Sequence, residues 1–251
     1  MPKLVADDDE NLVMASGAGY QFSGIRPDRL GATEYTLATV VLDYTGSTSG
    51  FVTELETMLK TIVEACKRSP RANNLLLRVI LFSSRFAKGT EELHGFKPLK
   101  DIDLNSYQLP SPSGATPLRD AAFDSASATN TYAKHLFDQD FAVNALQVVV
   151  TDGDDNVSST PNSRIKAAFA EGPASEYLES NIAILVALNA ASYKRELDKF
   201  FNDAGFNYYR DVADASASSI AKLAGFISQS ISSQSQALGS GGPSQNIAAV
   251  I

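Results

Sequence analysis

The sequence predicts an α/β fold: a doubly wound, mostly parallel central sheet flanked by helices. Three observations carry this. Runs at 35–42, 75–82, 145–150 and 182–188 are apolar on both faces and rich in Val, Ile and Leu, the pattern of strands buried on both sides. Segments with apolar residues spaced three and four apart lie between them, as helices covering a sheet require. Short polar loops of small residues follow the strands, where such sheets place their binding residues.

In order along the chain, residues 1–34 lack sustained periodicity and carry the acidic run Asp7, Asp8, Asp9 and Glu10. They read as an irregular arm, with Tyr20, Phe22 and Ile25 available to pack on the domain. The strand at 35–42 ends in Asp43, and a polar loop, 45–50, follows. Phe51, Leu55, Met58, Leu59, Ile62, Val63 and Cys66 then make one helical stripe, closed by Arg68, Pro70, Asn73 and Asn74. The strand at 75–82 has Arg78 as its one charge. Residues 84–110 read as polar loop, broken by Leu93, His94, Gly95 and Phe96. Pro117 stands where a helix begins, as its fixed φ allows, and Leu118, Ala121, Ala122, Tyr132 and Leu136 line that helix.

Strand–helix alternation continues to the end. The strand at 145–150 runs into Thr151, Asp152 and Gly153, and a helix at 165–178 is interrupted by Gly172 and Pro173. After the strand at 182–188 come a helix marked by Tyr193, Leu197, Phe200 and Phe201, a strand at 208–212, and a last helix with Ile220, Leu223, Ala224 and Ile227. The organisation expected is an arm at 1–34, one domain at 35–232, and a flexible Ser/Gln/Gly-rich tail at 233–251.

Composition narrows the function. The chain has 251 residues and a net charge of -8, so nucleic acid is not the expected partner, since phosphate contacts need a basic face. One Cys and two His exclude an internal disulfide and an ordinary structural zinc site. The longest apolar stretches, such as 183–188, are too short to span a membrane. The expectation is a soluble protein of the reducing cytoplasm.

Three polar clusters fall at strand ends or a helix start: residues 43–47, 114–117 and 151–156. Asp43, Asp152, Thr45, Ser47 and Thr116 together offer two carboxylates and three hydroxyls, hard oxygen donors of the kind magnesium prefers. Taken together, these clusters resemble the metal-ion-dependent adhesion site of von Willebrand factor A domains. That site has an Asp-x-Ser-x-Ser motif after the first strand, a Thr from a later loop and an Asp after the fourth strand. The matching positions are Asp43, Thr45 and Ser47, then Thr116, then Asp152, and the likeness extends over about 35–232. The runs Gly-Ala-Thr-Pro-Leu-Arg-Asp-Ala and Thr-Asp-Gly-Asp-Asp-Asn resemble intracellular bacterial or phage-encoded members, including those linked to tellurium resistance. One departure is Thr45 where the family usually has Ser; its hydroxyl is kept, but its methyl stiffens χ1.

The resemblance implies Mg2+ or Mn2+ with an open coordination position that accepts an Asp or Glu of a partner protein. It implies no catalysis. Calcium is a further candidate at Asp154 and Asp155, which otherwise solvate a loop. The alternatives are an assembly component of a phage-like particle or cytoplasmic scaffold, and a magnesium-dependent phosphohydrolase. The run at 46–50 is centred on Thr48, where a nucleophile elbow has Ser. Thr45 also occupies the position of the second Asp that an aspartyl phosphatase uses as general acid. His94 and His135 are read as structural, Cys66 as a buried thiol, and Asp120 as a carboxylate complementing its helix start. The sequence leaves the oligomeric state open.

Overall fold

The computed structural model describes residues 11–17 and 19–240. The acidic run at 7–10 and the end of the tail, 241–251, lie outside the described residues. The elements are β1 (Asn11–Ala15), β2 (Gln21–Ile25), β3 (Glu34–Asp43), α1 (Val52–Lys67), β4 (Leu75–Phe82), β5 (Thr90–Pro98), α2 (Leu118–Phe137), β6 (Ala142–Thr151), α3 (Asn162–Ala174), β7 (Asn181–Leu188), α4 (Lys194–Ala204), β8 (Tyr208–Val212) and α5 (Ala217–Gly239). Among the described residues the strands form one sheet in the order β1-β2-β5-β4-β3-β6-β7-β8. β4, β3, β6, β7 and β8 run parallel. β5 is antiparallel to β4, and β1 to β2.

Each long strand is apolar on both sides because both faces are covered. Ala38, Val40 and Leu42 of β3 join Leu55, Met58, Leu59 and Ile62 of α1 and Leu223 and Ile227 of α5 in one core. Val41 and Ile80 instead meet Ala121 and Ala122 of α2, Ile165 of α3 and Leu197 of α4 on the opposite face. The α1 stripe is buried as the spacing predicts. Cys66 belongs to it, and burial pushes its thiol up to about 12. Among the described residues no helix is long and apolar enough to cross a membrane.

Three segments differ from the sequence expectation. Residues 11–15 and 21–25, expected to be irregular, pair as an antiparallel hairpin whose Phe22 and Ile25 are buried. β5 lies inside the stretch read as loop; its alternation is masked because Glu92 points inward to the buried Arg78, with Nε donating to Oε1 at 2.7 Å. α5 runs through Gly239, past the expected start of the tail at 233. Its Ser235 and Ala237 are buried, and Asn144 of β6 donates to the Gln234 carbonyl at 2.8 Å, so polar residues pack where composition suggests fraying.

The hairpin joins β5 through a close approach that needs glycine. A Cβ on Gly95 would lie 1.9 Å from the Ser23 carbonyl oxygen, a backbone atom with no freedom to withdraw while Gly24 pairs with Phe96. Gly95→Ala is therefore expected to lower unfolding free energy by about 2–3 kcal/mol through overpacking. Urea unfolding measures this, and a loss under 0.5 kcal/mol, of the order of an ordinary surface change, would show that the hairpin docks loosely.

Candidate metal centre

β3 has β4 on one side and β6 on the other, so the direction of winding reverses at the crevice between β3 and β6, where doubly wound sheets bind ligands. Leu42 pairs with Val150. The next residues, Asp43 and Thr151, therefore leave the sheet side by side, with Asp152 one position beyond.

The Asp43 carboxylate is 2% exposed and fixed through both oxygens. Oδ1 accepts from the Thr45 backbone N–H at 3.1 Å and from Thr45 Oγ1 at 2.7 Å; Oδ2 accepts from Thr151 Oγ1 at 2.7 Å. Thr45 Oγ1 lies 3.0 Å from Ser47 Oγ, which donates to Asp152 Oδ1 at 2.8 Å. Asp43, Thr45, Ser47 and Asp152 thus form one chain of touching oxygens. The Thr45 methyl is buried with the rest of that side chain, and its hydroxyl still faces Asp43 and Ser47.

The Thr116 backbone is tied to the loop that carries Asp152. Its N–H donates to Asn156 Oδ1 at 2.8 Å, while the Asn156 N–H donates to the Thr116 carbonyl at 3.2 Å. The same loop accepts the Gly46 N–H at Gly114 O, 3.2 Å away. Gly114 has φ +92° and leaves no room for a side chain, since a Cβ there would sit 2.5 Å from Ser83 Oγ. Ser84 completes the brace: its N–H donates to Ala115 O at 2.9 Å, and its Oγ accepts from the Ala115 N–H at 2.8 Å. Each of the three loops is therefore tied to the other two.

Burial, reinforced by the nearby Asp152 charge, pushes the Asp43 carboxyl up to about 7, although the Thr45 and Thr151 hydrogen bonds pull the other way. Burial also raises Asp152, partly offset by Ser47. No basic group among the described residues supplies a compensating charge to either. Two carboxylates with adjoining hydroxyls and no counter-charge fit a small hard cation. Among the described residues there is no cluster of three or more His, Cys, Asp or Glu side chains that could hold a metal. Any cation here would rely on hydroxyls and water for the rest of its shell.

The neighbouring residues have other duties. Asp155 is pulled up by burial, but hydrogen bonds from Arg119 outweigh this and hold it below the usual carboxylate range. Its oxygens accept from the Arg119 backbone N–H and Nη2, both at 2.9 Å. The Asp155 carboxylate is thus directed to the start of α2. Asp120 does more than complement its helix, because it accepts the Thr160 N–H at 2.9 Å. Thr48 Oγ1 donates to the Thr45 carbonyl at 2.9 Å. His94 is buried 2.6 Å from Tyr107 Oη, and burial lowers it to about 4. His135, near the end of α2, contacts Gln139 just beyond the helix.

Thr151 and Asn156 stand inside a run singled out by sequence, but as neighbours of Asp152 rather than supports. Only the fold shows that one holds Asp43 and the other holds Thr116. Outer hydrogen bonds of this kind typically carry ten- to hundredfold in metal affinity. Asn156→Ala is expected to weaken Mg2+ binding about tenfold by calorimetry with the fold intact; unchanged affinity would remove Thr116 from the site.

No family model matches the chain, and no curated protein matches it by sequence. Solved structures do share its fold. The pilus adhesin SpaC from Lactobacillus rhamnosus GG superposes with TM-score 0.63 at 12% identity, over 81% of this chain and 31% of that one. Proximal thread matrix protein 1 from the mussel byssus gives 0.57 at 17% identity, over 78% of this chain and 47% of that one. A form of that mussel protein with a zinc-occupied MIDAS motif gives 0.51 at 15% identity, over 79% and 46%. This chain thus spans about a third of the adhesin and just under half of the matrix protein. At these identities the likeness is one of fold alone, an α/β sheet flanked by helices.

Proposed function

We propose that the chain is a metal-dependent protein–protein interaction module without catalytic activity. Asp43, Thr45, Ser47, Thr116 and Asp152 would hold Mg2+ or Mn2+, leaving a position for an Asp or Glu of a partner protein. The observation that carries this reading is the chain of oxygens from Asp43 to Asp152, which includes two carboxylates without a counter-charge. Bound there, the cation would supply Lewis acidity toward a partner carboxylate. The protein's part is positional: Thr151 and Thr45 fix Asp43, Ser47 meets Asp152, and Asn156 holds Thr116.

The donor set supports the smaller cations: two carboxylates with hydroxyls and water suit an octahedral, partly hydrated magnesium ion, whereas calcium takes roughly six to eight oxygen ligands. The mussel protein takes zinc at its motif, but an all-oxygen set lacks the thiolate and imidazole ligands that dominate structural zinc sites. The non-catalytic reading is supported by Thr48, whose hydroxyl is spent on its own loop, and by His94, which is buried against Tyr107. A cytoplasmic setting is part of the proposal and rests on the single buried thiol of Cys66.

The test is calorimetry with Mg2+, Mn2+, Ca2+ and Zn2+, followed by partner capture in Mg2+ and in EDTA, with Asp152→Ala as control. Mg2+ or Mn2+ binding and a partner lost in both EDTA and the variant are expected. A partner retained throughout would defeat the metal bridge, and magnesium-dependent phosphatase turnover would defeat the non-catalytic reading.

A further inference from the structure

Among the described residues, four large apolar side chains are prominently exposed: Val13, Phe137, Val157 and Tyr193. Val13 lies on the edge strand β1, and Phe137 ends α2, whose other end carries the loop with Thr116. Val157 and Tyr193 are different. They belong to the loops leaving β6 and β7, neighbouring strands whose C-terminal ends adjoin the Asp43–Asp152 crevice.

Tyr193 is placed by contact as well as by topology. A Cβ on Gly153 would lie 3.7 Å from its ring, so the ring rests over the backbone beside Asp152. It remains 45% exposed, and Val157, next to the Asn156 that holds Thr116, is 50% exposed. The bases nearby are already paired: Arg119 with Asp155, Lys194 with Asp198 and Arg195 with Glu196. On this side, attraction for a partner's carboxylate falls to the cation, and what the protein adds is apolar surface.

We infer that Val157 and Tyr193 form a specificity rim, selecting partner segments in which the acidic residue has a large apolar side chain within two positions. The inference rests on the metal-bridge reading above and names the class of partner for the same site. The occupant follows from continuity. A segment whose carboxylate reaches the crevice must pass over one of its margins, and alternate residues of an extended chain project to the same side roughly 6–7 Å apart. Tyr193 packs over Gly153, the residue after Asp152, so a segment crossing that margin meets its ring.

The probe is a randomised peptide display library selected on the full chain in Mg2+ and, in parallel, in EDTA. The expected result is magnesium-dependent peptides containing Asp or Glu, enriched in Leu, Ile, Val, Met or Phe within two positions. In Val157→Ser/Tyr193→Ser that enrichment should vanish, and a selected peptide should bind about tenfold more weakly, as lost apolar burial predicts. Mg2+ affinity should be unchanged, and Tyr193→Phe should behave as wild type. Acidic, magnesium-dependent peptides without apolar enrichment, or with the same enrichment in the double variant, would overturn the rim and leave the metal bridge standing. Selection without acidic, magnesium-dependent peptides would overturn both.

Discussion

In EDTA at pH 8, Asp43→Asn is expected to unfold at the same temperature as the wild-type chain or higher, and added Mg2+ should no longer raise it. An asparagine satisfies every contact the carboxylate makes. Its Oδ1 accepts from the Thr45 N–H and hydroxyl, as Asp43 Oδ1 does. Its Nδ2 donates to Thr151 Oγ1, whose own hydrogen turns to the Gly153 carbonyl 3.0 Å away. The substitution therefore leaves no buried polar atom orphaned, and it removes a buried charge that sits close to Asp152.

The pH dependence has a definite sign. The Asp43 carboxyl is held up to about 7 against its ordinary 3.8, by burial first and by Asp152 second. Between those values the folded chain keeps a proton that the unfolded chain has released. The contribution of this group to stability is therefore full below about 4 and is lost as pH rises toward about 7. Metal-free wild type carries that loss at pH 8, of order a few kcal/mol, and the Asn variant does not. A cation at a hundred times its dissociation constant returns about 2.7 kcal/mol, or roughly 5–10 °C for a domain of this size. Differential scanning calorimetry of both proteins, with and without Mg2+, reads all of this. A magnesium-dependent rise in the variant would free Asp43 of its role as a ligand, and a variant that melts several degrees lower in EDTA would refute the hydrogen-bond exchange.

Sequence reaches the parts of this molecule that repeat a simple rule. β4 and β8 fall where the apolar runs place them, and the α1 stripe is buried at each position its spacing picks out. The nearness of Asp43, Thr45, Ser47 and Asp152 is equally legible, because each follows a buried strand, and their oxygens do touch; that they ligate a metal is the proposal. The rest escapes because inward-facing polar groups disguise the pattern. β5 reads as loop since Glu92 and His94 point at partners inside the protein. The hairpin is too short for periodicity, and only Gly24 and Gly95 betray its close approach. The end of α5 is rich in Ser and Gln, which composition assigns to a tail, yet Asn144 anchors it from a strand 90 residues earlier. Thr151 and Asn156 act through hydrogen bonds whose direction no spacing encodes.

Those inward polar groups also set the second large expected effect, at Arg78. It lies 1% exposed in the middle of β4, its Nε bonded to Glu92 and its Nη2 3.7 Å from Asp124 Oδ2. Burial raises the Asp124 carboxyl, and Arg78 is the leading influence against that rise. The guanidinium carbon stands 5.7 Å from the Phe22 ring centroid and 5.9 Å from that of Phe96. Glu92 in turn accepts from the Ser23 N–H and hydroxyl at 2.9 and 2.8 Å. One arginine therefore neutralises two enclosed carboxylates and links the hairpin to the sheet. Arg78→Met keeps most of the side chain's volume but leaves both carboxylates without a counter-charge. That should cost about 3–5 kcal/mol, roughly 10 °C in melting temperature. Amide exchange at Ser23 and Gly24 should accelerate more than exchange in β6, because the hairpin loses its anchor first. Adding Glu92→Gln and Asp124→Asn to Arg78→Met should recover more than half of the loss, since the cost lies in stranded charge rather than in a missing contact. A single variant within 1 kcal/mol of wild type, or a triple variant no better than the single one, would show that the carboxylates are protonated or hydrated in the folded chain and that Arg78 is not their counter-ion.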